Sequence, residues 1–399
     1  MRVGLVTDNL PSEGIGGGIG TYVVLVAEEL ARRGAQAHVF RWRSDNAYTT
    51  YSANGVTYHL CPKWVSARED SLWRGAVCQW TSRTSPIQAD AYILRYFIGK
   101  IASRTPFDLI EFPDIDGYGL SGLHLRGVNK VAVRLHGCSR LCRQFAGEAE
   151  NVPMTPLDKW EARAAVRADV LTSVSHSALA ATATAWNVNL SRAVVVPNPI
   201  APANNVEETR DAATVFFSGR LERRKGIDVL ARAIPQILQV VPEAQFRIFG
   251  KDKPWDETQS GAKNGSDVMR AILRSQGVCG DEVKFMGAVP REILLSHLSR
   301  AAVALVPSRY ENQPFAVLEA LACGTPLIVS DIPAHREIVR SETEGVTFAG
   351  ENASQLAQKT IELLTDPARC AALSDSERKR SKDFHVGPVT DQLLSAWGT

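Results

Sequence analysis

The sequence predicts an α/β protein of two domains, each built around a parallel sheet. Short apolar runs alternate with helical segments in both halves of the chain, and this alternation is typical of parallel sheets. The 399 residues exceed one ordinary hydrophobic core and suit two domains of about 200 residues each. The segment Pro197–Asn205, rich in proline and asparagine, marks the join. We therefore expect an N-terminal domain over 1–198, a C-terminal domain over 199–385, and a helix over 386–399 that packs back towards the first domain.

The first half begins with a βαβ unit that has a glycine-rich turn. Arg2–Thr7 and Ala35–Phe40 are short apolar runs that fit buried strands, and an amphipathic helical pattern separates them. At the start of this helix stand Gly16, Gly17 and Gly18. A turn without side chains at a helix N-terminus exposes backbone N–H groups that suit an anion. We interpret the three glycines as a contact to a phosphate or substrate; an ordinary tight turn is the alternative.

This glycine turn does not match the two commonest phosphate-binding loops. A dinucleotide fingerprint requires Gly-x-Gly-x-x-Gly, but counting from Gly14 or Gly16 puts Ile19 or Thr21 at the third glycine position. No Gly-Lys-Ser/Thr follows, although a P-loop requires it. The sequence therefore argues against an NAD-dependent enzyme and against a P-loop NTPase.

Composition narrows the class of protein further. The chain is 45% apolar and 22% charged, as in an ordinary globular enzyme, and its net charge of +2 argues against a nucleic-acid binder. Seven scattered cysteines and eight histidines show no metal or disulfide spacing, so we expect no metal.

No run approaches the roughly 20 apolar residues of a membrane span, which predicts a cytoplasmic protein. The basic and aromatic stretch 68–104 predicts peripheral contact with the inner face of a membrane; an ordinary helical region is the alternative.

The second half repeats the βαβ plan. A strand, a turn and an amphipathic helix are predicted at Ala213–Ser218, Gly219–Gly226 and Ile227–Val241. Further strands are predicted at Gln245–Phe249, Val283–Phe285, Ala302–Val306 and Pro326–Ser330. Because ligands of open α/β sheets bind at the carboxyl ends of the strands, residues that follow these strands are candidates for a site.

Two carboxylates, Glu311 and Glu319, lie eight positions apart in this half. Glu319 belongs to an otherwise apolar segment, which Pro314 can begin as a helix and Gly324 can end. A helix that is apolar all round is normally buried, and a buried polar group without a hydrogen-bond partner costs on the order of 2–7 kcal/mol. The sequence leaves two partners open for Glu319: a neighbouring lysine or arginine, or the hydroxyl groups of a ligand.

A basic turn follows the first strand of the second half. Arg220 and Lys225 precede a helix N-terminus in this turn, and two cations there suit a diphosphate, whose charge grows as the bond to it breaks. Arg223 and Arg224 are expected to be solvated. Because another strand delivers Glu311 to the same edge, cations and carboxylates converge in one crevice, which suits a nucleotide sugar.

Over its whole length the chain resembles the retaining nucleotide-sugar glycosyltransferases of family 4. The residues that carry the resemblance are Gly16-Gly17, Arg220 and Lys225 (Arg-x4-Lys), Pro307-Ser308, and Glu311 and Glu319 (Glu-x7-Glu). The resemblance implies the GT-B architecture, in which two Rossmann-like domains with parallel sheets face each other across a cleft. It also implies transfer of a hexosyl group from a UDP- or GDP-linked sugar to a hydroxyl acceptor, with retained configuration and without a metal or other cofactor. Such a reaction would serve the biosynthesis of a polysaccharide, another glycan, a glycolipid or a glycosylated metabolite.

The same resemblance implies roles for individual residues. Arg220 and Lys225 would bind the donor diphosphate, Glu311 the donor sugar and Glu319 the ribose. His136, which lies in Arg-Leu-His-Gly after a strand, would reach the donor sugar from the first domain. Further donor contacts are expected at Gly219, Gly287, Val289, Asn312, Gln313, Pro314, Phe315 and Ala316.

Two features fall outside the family pattern. Asn312-Gln313-Pro314 follows Glu311, where many relatives have Gly-Phe-Gly. Glu111, at another strand end, is a candidate acceptor contact, and a role in a surface loop is the alternative. Two other functions stay open from the sequence: an NDP-sugar epimerase on a similar scaffold, and a non-catalytic protein that binds nucleotide sugars.

Overall fold

The computed structural model of the protein describes residues 1–10, 17–43, 48–62, 86–146, 152–202, 210–255 and 264–398. The chain forms two compact units. Unit 1 consists of Met1–Leu141, Pro153–Pro199 and Val386–Thr399, and unit 2 of Cys142–Val152 and Ile200–His385. Each unit has helices packed on a mainly parallel sheet, which confirms the predicted fold class.

Unit 1 is built on a sheet with the strand order β3-β4-β2-β1-β5-β6-β7-β8. Its strands are β1 (Arg2–Thr7), β2 (Gln36–Arg43), β3 (Thr49–Ala53), β4 (Val56–Pro62), β5 (Phe107–Pro113), β6 (Val128–Leu135), β7 (Val170–Ser173) and β8 (Val194–Val195). Its helices are α1 (Gly18–Arg32), α2 (Pro86–Ala102), α3 (Gly119–Gly122), α4 (Ser139–Ala146, which runs on into a segment of unit 2), α5 (Pro156–Arg167), α6 (His176–Trp186) and the last helix, α14 (Val386–Trp397).

The central and edge strands of this sheet differ in burial. In β1 every residue after Arg2 is buried, as expected for a parallel strand with helices on both faces of its sheet. The edge strand β3 is exposed along its length and pairs antiparallel with β4. Asn54 and Gly55 join the two strands with φ values of 50° and 78°, which suit a two-residue hairpin turn. The sheet of unit 1 is therefore parallel except at this edge.

The last helix completes unit 1 although it follows the whole of unit 2 in sequence. Helix α14 packs on α1, where Arg33 Nη1 forms an ion pair with Asp391 Oδ1 at 2.5 Å. Lys130 Nζ donates to the carbonyl oxygen of Trp397 at 2.8 Å, and the Trp397 side chain is fully buried. The chain therefore returns to unit 1 after Ile200–His385, as it also does at Pro153 after the short segment Cys142–Val152.

Unit 2 is built on a parallel sheet with the strand order β11-β10-β9-β12-β13-β14. Its strands are β9 (Asp211–Ser218), β10 (Gln245–Phe249), β11 (Val283–Gly287), β12 (Ala301–Val306), β13 (Leu327–Ser330) and β14 (Val346–Phe348). Its helices are α7 (Ile227–Val240), α8 (Gly265–Ser275), α9 (Arg291–Arg300), α10 (Phe315–Cys323), α11 (Pro333–Ile338), α12 (Ala353–Leu364) and α13 (Pro367–Ser381). Because the strands run parallel, their carboxyl ends meet at one edge.

Apolar cores lie on both faces of this second sheet. In β9, Val215 and Phe217 belong to one buried cluster and Phe216 to the other, because successive side chains of a strand point to opposite faces. Buried packing on both faces holds the strands in place, so residues that follow their carboxyl ends start from fixed positions.

Helix α10 confirms the prediction for the apolar segment. It begins after Pro314, its N-cap, and ends at Gly324, which adopts the left-handed conformation with φ 60°. Glu319 lies among its buried residues.

The prediction of membrane contact falls partly outside the described residues. Of the stretch 68–104, residues 68–85 are not described, and most of the remainder forms α2. Within the described ranges, no helix has the length and apolarity to cross a membrane.

Candidate functional site

The turn after β9 is fixed by close backbone contacts. Gly226 has φ 67°, and a Cβ at this position would lie 1.9 Å from the carbonyl oxygen of Pro307. A Cβ on Gly250, with φ 139°, would lie 1.8 Å from the carbonyl oxygen of Gly219. The segments that follow β9, β10 and β12 therefore touch through their backbones, and only glycine fits at these two contacts. This packing sets the position of Lys225, the residue before Gly226.

Glu311 lies at the centre of a cluster of charges at this edge of the sheet. Its Oε1 forms an ion pair with Lys225 and accepts a hydrogen bond from Ser308 Oγ at 2.8 Å, and its Oε2 lies 3.2 Å from Arg224 Nη1. Burial alone would raise the pKa of Glu311, but the charges of Lys225 and Arg224 lower it to about 2. The carboxylate is therefore ionised at neutral pH and holds both cations.

The arginines of the turn differ in their surroundings. The prediction that Arg224 is solvated is wrong, because its side chain is 11% exposed, lies 2.8 Å from Glu222 Oε1 and donates to the carbonyl oxygen of Tyr310 at 3.0 Å. Arg223 is exposed, as predicted. The Arg220 side chain is half exposed, and its Nη2 lies 3.2 Å from Glu222 Oε1. Nearby carboxylates therefore position Arg220 and Arg224.

Arg309 holds the same turn from the side of β12. Its Nη1 and Nη2 donate to the two carboxylate oxygens of Asp228 at 2.7 and 2.8 Å, and Nη1 also donates to the carbonyl oxygen of Arg223 at 2.6 Å. Its backbone N–H donates to the carbonyl oxygen of Arg224 at 2.8 Å. Because two parallel hydrogen bonds fix an arginine and a carboxylate in one geometry, Arg309 ties the segment after β12 to the first turn of α7. Nothing in the sequence spacing predicts this contact, which exists only once the two strands are neighbours.

Glu319 has an ion-pair partner within the protein. Its Oε1 accepts a hydrogen bond from Arg291 Nε at 2.9 Å, and the glutamate is 7% exposed. Burial raises the pKa of Glu319, and Arg291 opposes this rise. The structure confirms the salt bridge, one of the two partners left open by the sequence; a contact of the same carboxylate with ligand hydroxyls stays a prediction. Its partner is the first residue of α9, 28 positions away.

The other predicted donor contacts also follow or end strands of unit 2. They are Gly219 after β9, Gly287 and Val289 at and after the end of β11, and Asn312, Gln313, Pro314, Phe315 and Ala316 around the start of α10. The first N–H groups of a helix have no acceptor within the helix and carry partial positive charge. The beginning of α10 therefore favours an anion.

A buried histidine that the sequence did not single out supports Glu311. His335 Nδ1 lies 2.8 Å from the carbonyl oxygen of Ser330, and Ser330 Oγ donates to the carbonyl oxygen of Ser308. Burial lowers the pKa of His335 to about 4, although the charge of Glu311 opposes this. The imidazole is therefore neutral, and its Nδ1–H donates to Ser330.

In unit 1, His136 follows β6 in a turn that buried carboxylates hold. The backbone N–H groups of His136 and Gly137 donate to Asp114 Oδ1 and Oδ2 at 2.9 and 3.1 Å. The backbone N–H of Ser139 donates to Glu161 Oε2 at 3.1 Å. Burial raises the pKa of Asp114 to about 6 and that of Glu161 to about 8, and these hydrogen bonds oppose the rise. Sequence spacing does not connect either carboxylate with His136, so both were missed.

The His136 imidazole packs against Tyr22 of α1, with ring centroids 5.0 Å apart in an edge-to-face arrangement. Burial, and next the charge of Arg134, lower the pKa of His136 well below its usual value. His136 is therefore a neutral imidazole at physiological pH.

Glu111 does not occupy the position predicted for it. It lies within β5, is 3% exposed, and accepts a hydrogen bond from Tyr22 Oη at 2.7 Å. Burial raises its pKa, against the charge of Arg134. The predicted strand-end position and the surface loop are both wrong, because β5 continues past Glu111 through Phe112 and Pro113. The acceptor contact itself stays a prediction.

The glycine turn is described only in part. Gly16 lies outside the described residues, Gly17 is the extended N-cap of α1, and Gly18 is the first residue of this helix. The N-terminus of α1 therefore presents backbone N–H groups after β1. Across the described ranges, no group of three or more His, Cys, Asp or Glu side chains could hold a metal ion.

Family models match both halves of the chain. The model described as "Glycosyltransferase Family 4" matches residues 16–204, and the model described as "Glycosyl transferases group 1" matches residues 203–380. A D-inositol 3-phosphate glycosyltransferase from Actinosynnema mirum is 25% identical over 97% of this chain and 93% of its own length. A D-inositol 3-phosphate glycosyltransferase from Catenulispora acidiphila is 29% identical, and this match covers 47% of this chain and 44% of that protein.

Solved structures share the whole fold. A sucrose-phosphate synthase from Thermosynechococcus elongatus matches with a TM-score of 0.75 and 20% identity, over 100% of this chain and 98% of that one. Alr3699/HepE from Anabaena, in complex with UDP and glucose, matches with a TM-score of 0.71 and 15% identity, over 100% and 99%. Together with the two family models, these matches show that the chain belongs to the glycosyltransferases of family 4, which have the GT-B fold.

Proposed function

We propose that the protein transfers a hexosyl group from a UDP-linked sugar to a hydroxyl acceptor and retains the anomeric configuration. The observation that carries the proposal is the cluster of Lys225, Arg224 and Glu311 at the carboxyl edge of the unit 2 sheet. It joins fixed cations with an ionised carboxylate, as a donor with a diphosphate and a sugar requires.

Each part of the donor has a counterpart in this arrangement. Lys225, Arg220 and the N-terminus of α10 supply positive charge for the diphosphate. Glu311 accepts hydrogen bonds from sugar hydroxyls and Glu319 from the ribose hydroxyls, and the neutral His136 contacts the sugar from unit 1. Catalysis then rests on positioning and on stabilising the charge of the leaving group.

Retention of configuration requires attack from the face that the diphosphate leaves. The bond between the anomeric carbon and the β-phosphate oxygen breaks, and the acceptor oxygen bonds to the same face. The acceptor proton passes to the leaving phosphate oxygen, so no side chain has to accept it. This route agrees with the family 4 resemblance.

The choice of UDP is supported by Alr3699/HepE, whose structure contains UDP and glucose. The relatives named D-inositol 3-phosphate glycosyltransferase support a hydroxyl-bearing acceptor such as a polyol. Because Arg220 and Lys225 would supply the positive charge that the diphosphate needs, we expect the rate to survive EDTA. A rate that falls with EDTA and returns with Mg²⁺ would contradict this part of the proposal.

A donor panel tests the proposal. UDP-, GDP- and ADP-sugars are compared by thermal shift, and then by hydrolysis and transfer to polyol acceptors. UDP-sugars are expected to stabilise the protein. The Lys225→Ala variant is expected to lose turnover by about 10²-fold or more, and Arg223→Ala, an exposed arginine of the same turn, is the matched control. No response to any nucleotide sugar, or full turnover by Lys225→Ala, would refute the site.

Product analysis separates the transferase from the epimerase alternative. NMR of the product with an acceptor present is expected to show a new glycoside with the donor's anomeric configuration. A changed nucleotide sugar without any glycoside would favour the epimerase, whereas binding without turnover would favour a non-catalytic protein.

A further inference from the structure

Arg134 is a fully buried cation in β6. Its Nη2 donates to the carbonyl oxygens of Val196 and Pro197 at 2.8 and 3.1 Å and lies 3.4 Å from Asn198 Oδ1. These three residues, which we call the exit segment (196–198), lie just before the chain leaves unit 1. Arg134 therefore fastens the exit segment to a central strand of unit 1.

The same guanidinium contacts helix α1. Its Cζ lies 4.3 Å from the centroid of the Tyr22 ring, a distance at which a cation and an aromatic face attract each other. Tyr22 donates to Glu111 through its hydroxyl at 2.7 Å, and its ring packs edge-to-face on His136. Arg134 thus contacts the exit segment and also the aromatic ring that supports His136.

Among the described residues, the direct contacts of Arg134 are with uncharged groups. They are carbonyl oxygens, an amide oxygen, the Thr172 hydroxyl at 3.5 Å and an aromatic face, and the charge of Arg134 also acts on Glu111. Burying a charge is costly, and replacing buried ionic groups by apolar side chains of similar volume is often neutral or stabilising. Stability therefore does not account for an arginine at this position, whereas a link between its two sets of contacts does.

We propose that Arg134 is a positioning residue, which couples the exit segment to Tyr22 and His136. The proposal rests on the proposed function, in which His136 contacts the donor sugar. Any reorientation of unit 2 relative to unit 1 must be absorbed where the chain joins the units. Because Arg134 binds carbonyl groups next to one of these joins, a backbone change there moves a group in contact with Tyr22.

Arg134 also acts on His136 through its charge, because the two residues are neighbours on β6 and its end. Removing the charge is expected to raise the pKa of His136 towards its usual value, although burial still lowers it. The titratable groups that face His136 or its turn include Tyr22 on α1, whose ring packs on the imidazole, and Glu111 in β5, which accepts from Tyr22. They also include Asp114 after β5 and Glu161 on α5, which accept from backbone N–H groups of the turn.

Two substitutions separate the contact from the charge. Arg134→Met removes the hydrogen bonds and the charge with little change in volume, and Arg134→Lys keeps the charge but loses the forked geometry. In Arg134→Met we expect kcat to fall by about tenfold or more and the NMR titration of His136 to move to higher pH. In Arg134→Lys we expect a similar fall in kcat, but we expect His136 to titrate at the same pH as in the wild type. Comparison with a His136→Gln spectrum assigns the signal.

Arg192→Met is the matched control. Arg192 Nη2 also donates to three backbone carbonyl groups, those of Ala165, Val166 and Ala168 at 2.8, 3.1 and 2.7 Å, so its loss reports the general cost of removing such contacts. We expect wild-type kcat and wild-type titration of His136 in this variant.

Wild-type kcat and an unchanged His136 titration in Arg134→Met would overturn the proposal. If Arg134→Met does not fold, full kcat in Arg134→Lys overturns it instead. The titration needs no substrate, so the two proposals fail separately. A wild-type protein that transfers no sugar refutes the proposed function, and the titration alone then decides whether Arg134 acts on His136.

Discussion

At the level of single residues, Glu311 pairs with two cations of the candidate site. Glu311 holds Lys225 on one oxygen and Arg224 on the other, so a diphosphate that binds as we propose has to compete with it for Lys225. The pKa of Glu311 lies at about 2, below its usual value. Its ion pairs therefore persist as pH falls below 4.5 and are lost only near pH 2.

Glu311→Gln is expected to strengthen UDP binding and to slow transfer. The amide leaves Lys225 free for the diphosphate, but it no longer offers a charged acceptor to the sugar. We expect a lower Kd for UDP by isothermal titration calorimetry and a kcat reduced by about 10²-fold.

Glu362→Gln is the control for this change, because Glu362 also pairs with one lysine and one arginine, Lys359 and Arg369, on α12 and α13. It is expected to leave both quantities unchanged. Weaker UDP binding in Glu311→Gln would show that the carboxylate orients Lys225 rather than competing for it.

The sequence predicts residues of the candidate site that stand in short local patterns, but it does not predict contacts between distant segments. Arg220, Lys225, Glu311 and Glu319 stand in short patterns after strands, and a pattern of that kind predicts a common edge. The clamp of Arg309 on Asp228 and the pairing of Arg291 with Glu319 join distant segments. Such pairs depend on the order of strands in the sheet, which a single sequence does not specify.

At the level of secondary-structure elements, a chain of hydrogen bonds crosses strands of unit 1. Arg2 Nε donates to His38 Nε2 at 3.1 Å, His38 Nδ1 lies 2.9 Å from His59 Nε2, and His59 Nδ1 lies 2.8 Å from Tyr48 Oη. Because arginine only donates, both histidines carry their proton on Nδ1. Burial, and next the charge of Arg2, lower the pKa of each histidine to about 4.

The two neutral histidines in this chain of hydrogen bonds predict that the protein loses stability in acid. Both histidines are neutral when folded and take up protons below about pH 6.5 when unfolded. The free energy of unfolding is therefore expected to fall between pH 6.5 and 4, by on the order of 3 kcal/mol for each histidine. Thermal unfolding of His59→Gln should show a weaker pH dependence in this range, and exposed His176→Gln should behave as the wild type. An unchanged slope in His59→Gln would exclude the histidine pair as the cause.

The turn between β9 and α7 predicts a large effect from one methyl group. Gly226→Ala combines a positive φ with a Cβ 1.9 Å from a carbonyl oxygen, so we expect a loss of about 2 kcal/mol or more in stability and a loss of turnover. Gly277→Ala is the matched control, because Gly277 has φ 78° and no atom within 4 Å of a Cβ. Chemical denaturation measures both. Equal losses of stability in the two variants would show that the positive φ, and not the contact with Pro307, causes the loss.

At the level of the whole molecule, the sequence predicts more of the fold than of the contacts between distant segments. Short runs rich in apolar residues and bounded by turns predict β1 and β10 with the observed ends, because most residues of both strands are buried and apolar. The antiparallel edge strand β3 was missed because it is polar and exposed. Its Asn-Gly turn is the signal that identifies it.

Because helix α14 belongs to unit 1, a substitution near the end of the sequence is expected to affect unit 1. Trp397→Ala removes a fully buried side chain, which typically costs about 3–5 kcal/mol. Hydrogen exchange is expected to increase in α1 and β7, on which α14 packs, and to change little in the sheet of unit 2. Phe348→Ala, at a buried position in β14, is expected to show the reverse pattern. Faster exchange throughout both units in either variant would contradict separate cores.

The return of the chain to unit 1 also has a consequence for synthesis on the ribosome. Domains usually fold in the order in which they emerge, the N-terminal one first. Here the helix Val386–Trp397 is translated after Ile200–His385, so unit 2 can fold completely while unit 1 still lacks α14. The nascent protein therefore carries an incomplete first unit, with the surface of α1 that meets α14 uncovered, until the ribosome has passed unit 2.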